Sequence, residues 1–139
     1  MLQLENLVRI GKLKAEPPAI AELEGLVRSG RARLQDARNA QLSDYGRFDL
    51  AYNAAHALAL AALRWHGYRS ENRYLVFQCL EHTIQLPREQ WRVLDQAHSR
   101  RNLAEYSGDA EVDEELLAAL IRVTLELEKR VVAMKPLAR

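Results

Sequence analysis

The fold of this chain is decided by residues 51–63, which read AYNAAHALALAAL. Seven of these thirteen residues are alanine, and three of the other six are leucine. Small side chains on nearly all sides are typical of a helix at the crowded centre of a helical bundle. Ser43 is a suitable N-cap and Gly67 a suitable stop signal, so the sequence predicts a helix from Asp44 to about His66.

The remainder of the chain also has helical periodicity, and strand-like alternation is nearly absent. We therefore predict an all-α protein, an antiparallel up-and-down bundle of about five to six helices joined by short connections. Residues 1–139 are expected to form a single domain, with a short tail at residues 136–139. The other predicted helices cover residues 1–14, 18–40, 70–85 and 87 to about 107. A last helix is predicted to begin in the acidic run at residues 109–115 and to reach about residue 134.

The second predicted helix contains two glycines, at positions 25 and 30. Glycine lowers helix propensity. Its most useful role at Gly25 and Gly30 would be to allow a neighbouring helix to approach closely.

The composition excludes several classes of protein. The formal net charge is +1, so anion binding requires local clustering of cations and not a global field. The single Cys79 lies in an apolar run and is interpreted as a small buried hydrophobe, which rules out an internal disulfide. The sequence contains no glycine-rich phosphate loop and no metal-binding motif, so we expect neither a cofactor nor a metal. Without a signal-like start or a membrane-length apolar run, we predict a cytoplasmic protein with no membrane contact.

One polar face on the fifth predicted helix is the strongest candidate for a functional site. His98, Arg101, Asn102 and Glu105 are spaced i, i+3, i+4 and i+7, so they lie on one face, and Arg100 is adjacent in sequence. Apolar residues earlier on that face would turn it toward the bundle interior, where such side chains need partners. The cluster therefore indicates a cleft or an interface. The alternative is a helix end whose polar groups return to solvent.

A second polar stripe lies on the alanine-rich helix. Asp49, Asn53 and His56 are spaced i, i+4 and i+7 on an otherwise apolar rod. They either form an internal hydrogen-bonded network or line a cleft. Asn53 and His56 are therefore candidate binding residues, together with His98, Arg100 and Glu105.

These residue types suit metal-independent RNA cleavage. Attack by the 2′-hydroxyl of RNA needs a base, an acid for the leaving oxygen, and positive charge at the phosphate. Arg101 would supply that charge. A histidine is the usual proton carrier near neutral pH.

The chain resembles HEPN domains, which are small all-helical modules of prokaryotes and higher eukaryotes. The resemblance covers most of the chain. It rests on residues 47–56 (RFDLAYNAAH), on Gly67-Tyr68-Arg69 after that helix, and on Arg101-Asn102.

The resemblance implies a homodimer with a cleft on its axis, and many family members are ribonuclease toxins paired with a nucleotidyltransferase-type antitoxin. Their motif is an Arg, usually a polar residue after it, and a His four to six residues beyond the Arg. Arg101 and Asn102 match this motif, whereas Tyr106 stands where the His is expected. A tyrosine with an ordinary pKa near 10 is a poor base at neutral pH. The resemblance therefore carries over Arg101 and Asn102 but not the catalytic His. Tyr106 is included with them as a candidate catalytic residue because it fills the position of that His, and His98, one turn before Arg101, is the alternative.

Three functions remain open from the sequence. The first is a HEPN-like module that binds or acts on RNA, nucleotides or a partner protein through the dimer cleft. The second is an active metal-independent ribonuclease toxin, and the third is a purely structural interaction dimer. The replacement of the motif His by Tyr106 favours the first.

Overall fold

The computed structural model of the chain describes residues 2–108 and 111–134, and of residues 105–107 it describes the backbone alone. Its helical segments confirm the predicted all-α bundle. They are α1 Leu2–Arg9, α2 Ile20–Ala37, α3 Asp44–Trp65, α4 Arg73–Gln78, α5 Leu80–Thr83, α6 Arg88–Ser107 and α7 Glu114–Val132. One core of buried apolar side chains includes residues from every one of these segments. The predicted tail at residues 136–139 lies outside the described residues.

Helix α3 is the central element, as the alanine-rich stretch predicts. It packs against α2, α4, α6 and α7. Most of its side chains are buried, including all seven alanines of residues 51–63. A helix this evenly apolar is stable only when neighbours cover it on several sides.

Helix α2 approaches α3 most closely at Gly30. A Cβ atom added there would lie 2.8 Å from Cγ of Leu58, a side chain with no solvent exposure. The predicted close approach is therefore confirmed at Gly30. It is wrong at Gly25, where an added Cβ would meet only the Arg28 guanidinium at 3.9 Å.

The capping residues define where α3 and α4 begin and end. The Ser43 hydroxyl accepts a hydrogen bond from the Gly46 amide, and Gly67 follows α3 with a φ of 90°, so both predicted signals are confirmed. The predicted start of the next helix at residue 70 is wrong, because α4 begins at Arg73. The side chain of Asn72 caps α4 by accepting from the Leu75 amide, while the Ser70 hydroxyl accepts from Asn72 itself.

The predicted helix over residues 1–14 is too long. Helix α1 ends at Arg9, and Gly11 adopts a φ of 78°, which turns the chain. Lys14–Ala15 then forms a short strand, β1, that pairs antiparallel with β2, Tyr68–Arg69. The periodic apolar residues of this segment did not reveal that its end would pair with a distant part of the chain.

A buried arginine explains why β1 and β2 meet. Arg64 is 1% exposed, and its guanidinium donates to the Glu22 carboxylate at 2.5 Å and to the main-chain oxygens of Glu16 and Pro17 at 2.9 and 2.8 Å. Arg69 contacts the carboxylates of both Glu16 and Glu22. These ion pairs hold the first turn of α2 and the segment before it to the end of α3 and to β2.

The predicted helix over residues 70–85 is divided in two. Helices α4 and α5 are separated only by Cys79, which ends one and begins the other. Cys79 is 1% exposed, and burial raises the pKa of its thiol to about 11. The interpretation of Cys79 as a small buried hydrophobe is confirmed.

Candidate functional site

Tyr52 of α3 lies at the centre of a group of polar side chains from three helices. Its side chain has no solvent exposure, and its ring packs edge-on against Phe77 of α4. Its hydroxyl is hydrogen-bonded to Nδ1 of His98 on α6 at 2.9 Å. A buried tyrosine needs such a partner for its hydroxyl, so this contact fixes the position of α6 relative to α3.

His98 is bonded at both ring nitrogens. Its Nδ1 meets the Tyr52 hydroxyl, and its Nε2 lies 3.2 Å from the side-chain nitrogen of Asn102. With that amide nitrogen donating, Nε2 accepts, so the neutral ring carries its proton on Nδ1 and donates it to the Tyr52 oxygen. Burial, and then the charge of Arg101, lower the pKa of His98. His98 is therefore a neutral connection between α3 and α6 near pH 7.

Two guanidinium groups lie beside the Tyr52 ring. That of Arg101 on α6 is 4.8 Å from the ring centroid, and that of Arg73 on α4 is 5.6 Å from it. Both distances lie within the range of cation–π attraction. Arg73 also donates to the side-chain oxygen of Asn53 at 2.9 Å. Both arginines are half-buried, so their positive charges are incompletely screened by water.

His56 lies one helical turn beyond Tyr52 and experiences these charges directly. Burial is the first cause that lowers its pKa to about 4, followed by the charges of Arg73, Arg101 and Arg33. Its ring packs edge-on against Phe77, and its buried Nε2 finds no hydrogen-bond partner among the described residues. His56 is consequently a neutral imidazole in a strongly positive environment.

We call these side chains the polar cluster. Its members are Tyr52, Asn53, His56, Arg73, His98, Arg101 and Asn102. A described carboxylate, that of Asp95, raises the pKa of His98 by its charge and is hydrogen-bonded to Tyr74. The polar cluster thus combines fixed positive charge with hydrogen-bond donors, an arrangement that suits an anion.

The structure brings together five of the residues chosen from the sequence. They are Asn53, His56, His98, Arg101 and Asn102. The sequence left open whether the polar stripe on α3 forms an internal network or lines a cleft. Asn53 and His56 face other helices, whereas the side chain of Asp49 is exposed. The main-chain oxygen of Asp49 accepts a hydrogen bond from the Asn53 side-chain amide at 2.8 Å.

The other three candidates are not part of this assembly as described. Arg100 points away, because its guanidinium donates to the main-chain oxygen of Glu111, before α7. It lines a separate groove with Leu103 and Leu116. The side chains of Glu105 and Tyr106 lie outside the described residues.

Sequence reasoning did not select two members of the polar cluster, Arg73 and Tyr52. A signal for Arg73 existed. Asn72 is the N-cap of α4, so Arg73 places a positive charge in the first turn, where the helix dipole disfavours it. No such signal marked Tyr52 in the sequence, because an aromatic residue on an apolar helix usually belongs to the hydrophobic core.

No protein-family model matches the chain, and no curated protein is significantly similar to it in sequence. Among residues 2–108 and 111–134, no helix is both long and apolar enough to cross a membrane.

Proposed function

We propose that this chain is a HEPN-like module whose polar cluster binds the phosphate groups of RNA or a nucleotide. The observation that carries the proposal is the meeting of the Arg73 and Arg101 guanidinium groups at the Tyr52 ring. Arginine suits phosphate because its planar guanidinium can donate two parallel hydrogen bonds. Because the net charge of the whole chain is only +1, the positive charge gathered at the polar cluster is a local feature.

Binding is better supported than cleavage. Hydrolysis through the 2′-hydroxyl requires a base that accepts a proton near neutral pH. Both nitrogens of His98 are hydrogen-bonded, and the pKa of His56 is about 4. Neither imidazole is arranged as that base, and Tyr106 occupies the position of the motif His.

The proposal includes the homodimer that the family resemblance implies. Two copies would place two polar clusters in one assembly and extend the contact with an RNA strand. Sedimentation of the purified protein at micromolar concentration tests this part, with a mass of twice 15.9 kDa expected. A monomer would remove the dimer cleft from the proposal. It would leave the phosphate site intact, since all described members of that site belong to one chain.

A titration of fluorescent single-stranded RNA with the variants Arg73→Gln and Arg101→Gln tests phosphate binding. Each variant removes one charge-assisted contact worth about 1.5–3 kcal/mol, so affinity should fall at least about tenfold. The dependence of the binding constant on salt should weaken as well, because one phosphate contact fewer releases fewer counterions.

Arg92→Gln is the matched control. Arg92 lies on α6 like Arg101, is exposed, and is outside the polar cluster, yet its loss changes the net charge by the same amount. Its affinity for RNA should stay near that of the wild type. Equal losses in all three variants would mean that only overall charge matters. Absence of RNA and nucleotide binding in the wild type would refute the proposed function.

A further inference from the structure

A groove of about 990 Å³ lies on the surface between α2 and α7. Helix α3 contributes Ala61 and Trp65 to its lining. These two residues follow Tyr52 and His56 by nine positions each, which turns the side chain by about 900°, or two and a half turns. The groove therefore lies on the side of α3 opposite to the polar cluster, and the proposed function makes no use of it.

Apolar side chains of the groove form a surface that is separate from the hydrophobic core. Five described residues of the lining neither belong to the core nor pack against it: Ile20, Leu23, Trp65, Leu125 and Val132. Val132 is 51% exposed, and the other four are half-buried. Apolar side chains that gather on one open surface are a mark of a binding site, whereas scattered single ones are not.

The α2 wall of the groove has the spacing of a helix-packing seam. Its apolar positions alternate steps of three and four residues: Ile20, Leu23, Val27, Gly30 and Leu34. This mean period of about 3.5 residues is the one by which one helix packs along another. Gly30 and Leu34 are buried, whereas Ile20, Leu23 and Val27 are only half-buried. The first half of the seam is therefore open to a further helix.

The length of the groove also suits a helix. Ile20 and Arg38 are the first and last described residues of the α2 wall, and they are about 27 Å apart along the helix axis at 1.5 Å per residue. On the α7 wall, Leu125, Glu128 and Val132 are spaced i, i+3 and i+7, so they share one face. An amphipathic helix of about 18 residues would span the groove, and docking of such a helix in an apolar groove is a recurring mode of recognition.

Arginines on the α2 wall indicate the charge of the partner. Arg28, Arg31 and Arg38 line the groove, where the described carboxylates are those of Glu24 and Glu128. Arg31 and Glu128 form an ion pair at 3.5 Å. Arg28 and Arg38 are exposed and form no ion pair with a described carboxylate. Charges that flank an apolar seam select partners of opposite charge, so these cations favour acidic residues on a docked helix.

We propose that the groove between α2 and α7 docks an amphipathic helix of a partner protein. The apolar face of that helix covers Leu23, Val27 and Trp65, and the residues that flank this face are acidic. An acyl chain with an anionic head group fits less well, because it brings one charge to a wall whose cations, from Arg28 to Arg38, are spread over about 15 Å.

The test is fluorescence anisotropy of a labelled helical peptide of about 18 residues, titrated with the full chain. The peptide carries leucine at steps of three and four residues and glutamate on both sides of that stripe. In the comparison peptide, lysine replaces every glutamate. An exposed charge pair changes affinity by up to about fivefold, and three such pairs change sign between the peptides. We therefore expect at least about tenfold tighter binding of the glutamate peptide at low salt, with a smaller preference at high salt.

Charge reversal on the α2 wall should invert this preference. In Arg28→Glu/Arg38→Glu the lysine peptide should bind more tightly than the glutamate peptide. Arg92→Glu/Arg122→Glu is the matched control, since it changes the net charge by the same amount at exposed positions outside the described groove lining. The control should keep the preference of the wild type. Equal affinity of the two peptides for the wild type, or no binding of the glutamate peptide, would overturn the proposal.

Trp65 reports whether a bound peptide occupies the groove. Trp91→Phe leaves Trp65 as the single tryptophan of the chain. A helix that covers the indole should shift its fluorescence to shorter wavelengths. Peptide binding that leaves the emission of Trp65 unchanged would place the peptide elsewhere and overturn the proposal.

Three other results would overturn the proposal by assigning the groove to a different occupant. A shift of the Trp65 emission by laurate, and not by the glutamate peptide, would indicate a site for an anionic amphiphile. A shift that follows the protein concentration alone would indicate a second copy of this chain. A shift to longer wavelengths on deletion of residues 135–139 would indicate that the chain itself fills the groove.

Discussion

Substitution of Gly30 by alanine tests whether the contact between α2 and α3 limits the stability of the bundle. The added Cβ would lie 2.8 Å from Cγ and 3.0 Å from Cδ2 of Leu58, and 3.4 Å from the main-chain oxygen of Ala54. Leu58 is fully buried, so it has no open space into which to withdraw. Overpacking of this kind typically costs about 1–3 kcal/mol.

A second effect has the opposite sign. Alanine is favoured over glycine within a helix by about 1 kcal/mol. The net change at Gly30 is then a loss of up to about 2 kcal/mol in the free energy of unfolding. Gly25→Ala is the matched control, since Gly25 lies on the same helix and its added Cβ meets only the Arg28 guanidinium at 3.9 Å. We expect that variant to gain stability.

Urea denaturation followed by circular dichroism measures both variants. The propensity term is nearly common to the two positions, so the difference between them reports the steric term alone, about 1–3 kcal/mol. With a typical urea dependence for a small protein, their midpoints should differ by roughly 1 M. Coincident midpoints, or a more stable Gly30→Ala, would refute the view that α2 and α3 are in tight contact there.

Three further outcomes follow from buried or charged groups. Arg64→Met should destabilise the protein by about 3 kcal/mol in the same assay, because the carboxylates of Glu16 and Glu22 lose their buried cation. Unchanged stability would show that the ion pairs do not hold β1 to α3. Cys79 should react with a thiol reagent in the native state only as fast as the protein opens, since burial raises its thiol pKa to about 11, and rapid native labelling would contradict its burial. His56 is neutral in the folded protein and binds a proton more readily in the unfolded chain, so the free energy of unfolding should fall by up to about 3 kcal/mol as the pH drops from about 6.5 to about 4. His56→Gln should remove that part of the pH dependence. An identical acid profile in the variant would contradict the assignment.

The central helix was predictable because its signals are local. The cap at Ser43, the stop at Gly67 and the run of alanines between them all act within a few residues. Burial from all sides then follows from side-chain size, and no knowledge of the neighbouring helices is needed.

The first fifteen residues were less predictable because their conformation depends on distant partners. Strand β1 exists where Lys14 and Ala15 pair with Arg69 and Tyr68, more than fifty residues away. Arg64 reinforces the pairing by donating to the main-chain oxygen of Glu16. Local periodicity contains no information on such contacts, so it extended the helix beyond Arg9.

The candidate site was predictable only one helix at a time. Helical spacing placed His98, Arg101 and Asn102 on one face of α6, and Asn53 and His56 on one face of α3. It could not predict that the two faces would meet. That contact depends on Tyr52, whose hydroxyl is hydrogen-bonded to His98 on α6. Arg73 joins the same site from α4 through its hydrogen bond to Asn53.

The position of α3 explains how one helix serves both the core and the polar cluster. Two residues along a helix turn the side chain by about 200°, so Leu58, which packs on Gly30, lies nearly opposite to His56. Alanine on the intervening positions lets α2 and α7 close around α3 without displacing the side that carries Tyr52 and His56. Polar groups on that side are held by α4 and α6 and need no support from the tight α2 contact. The chain can therefore keep a partly buried, positively charged site on one side of α3 while α2 packs tightly against the opposite side of the same helix.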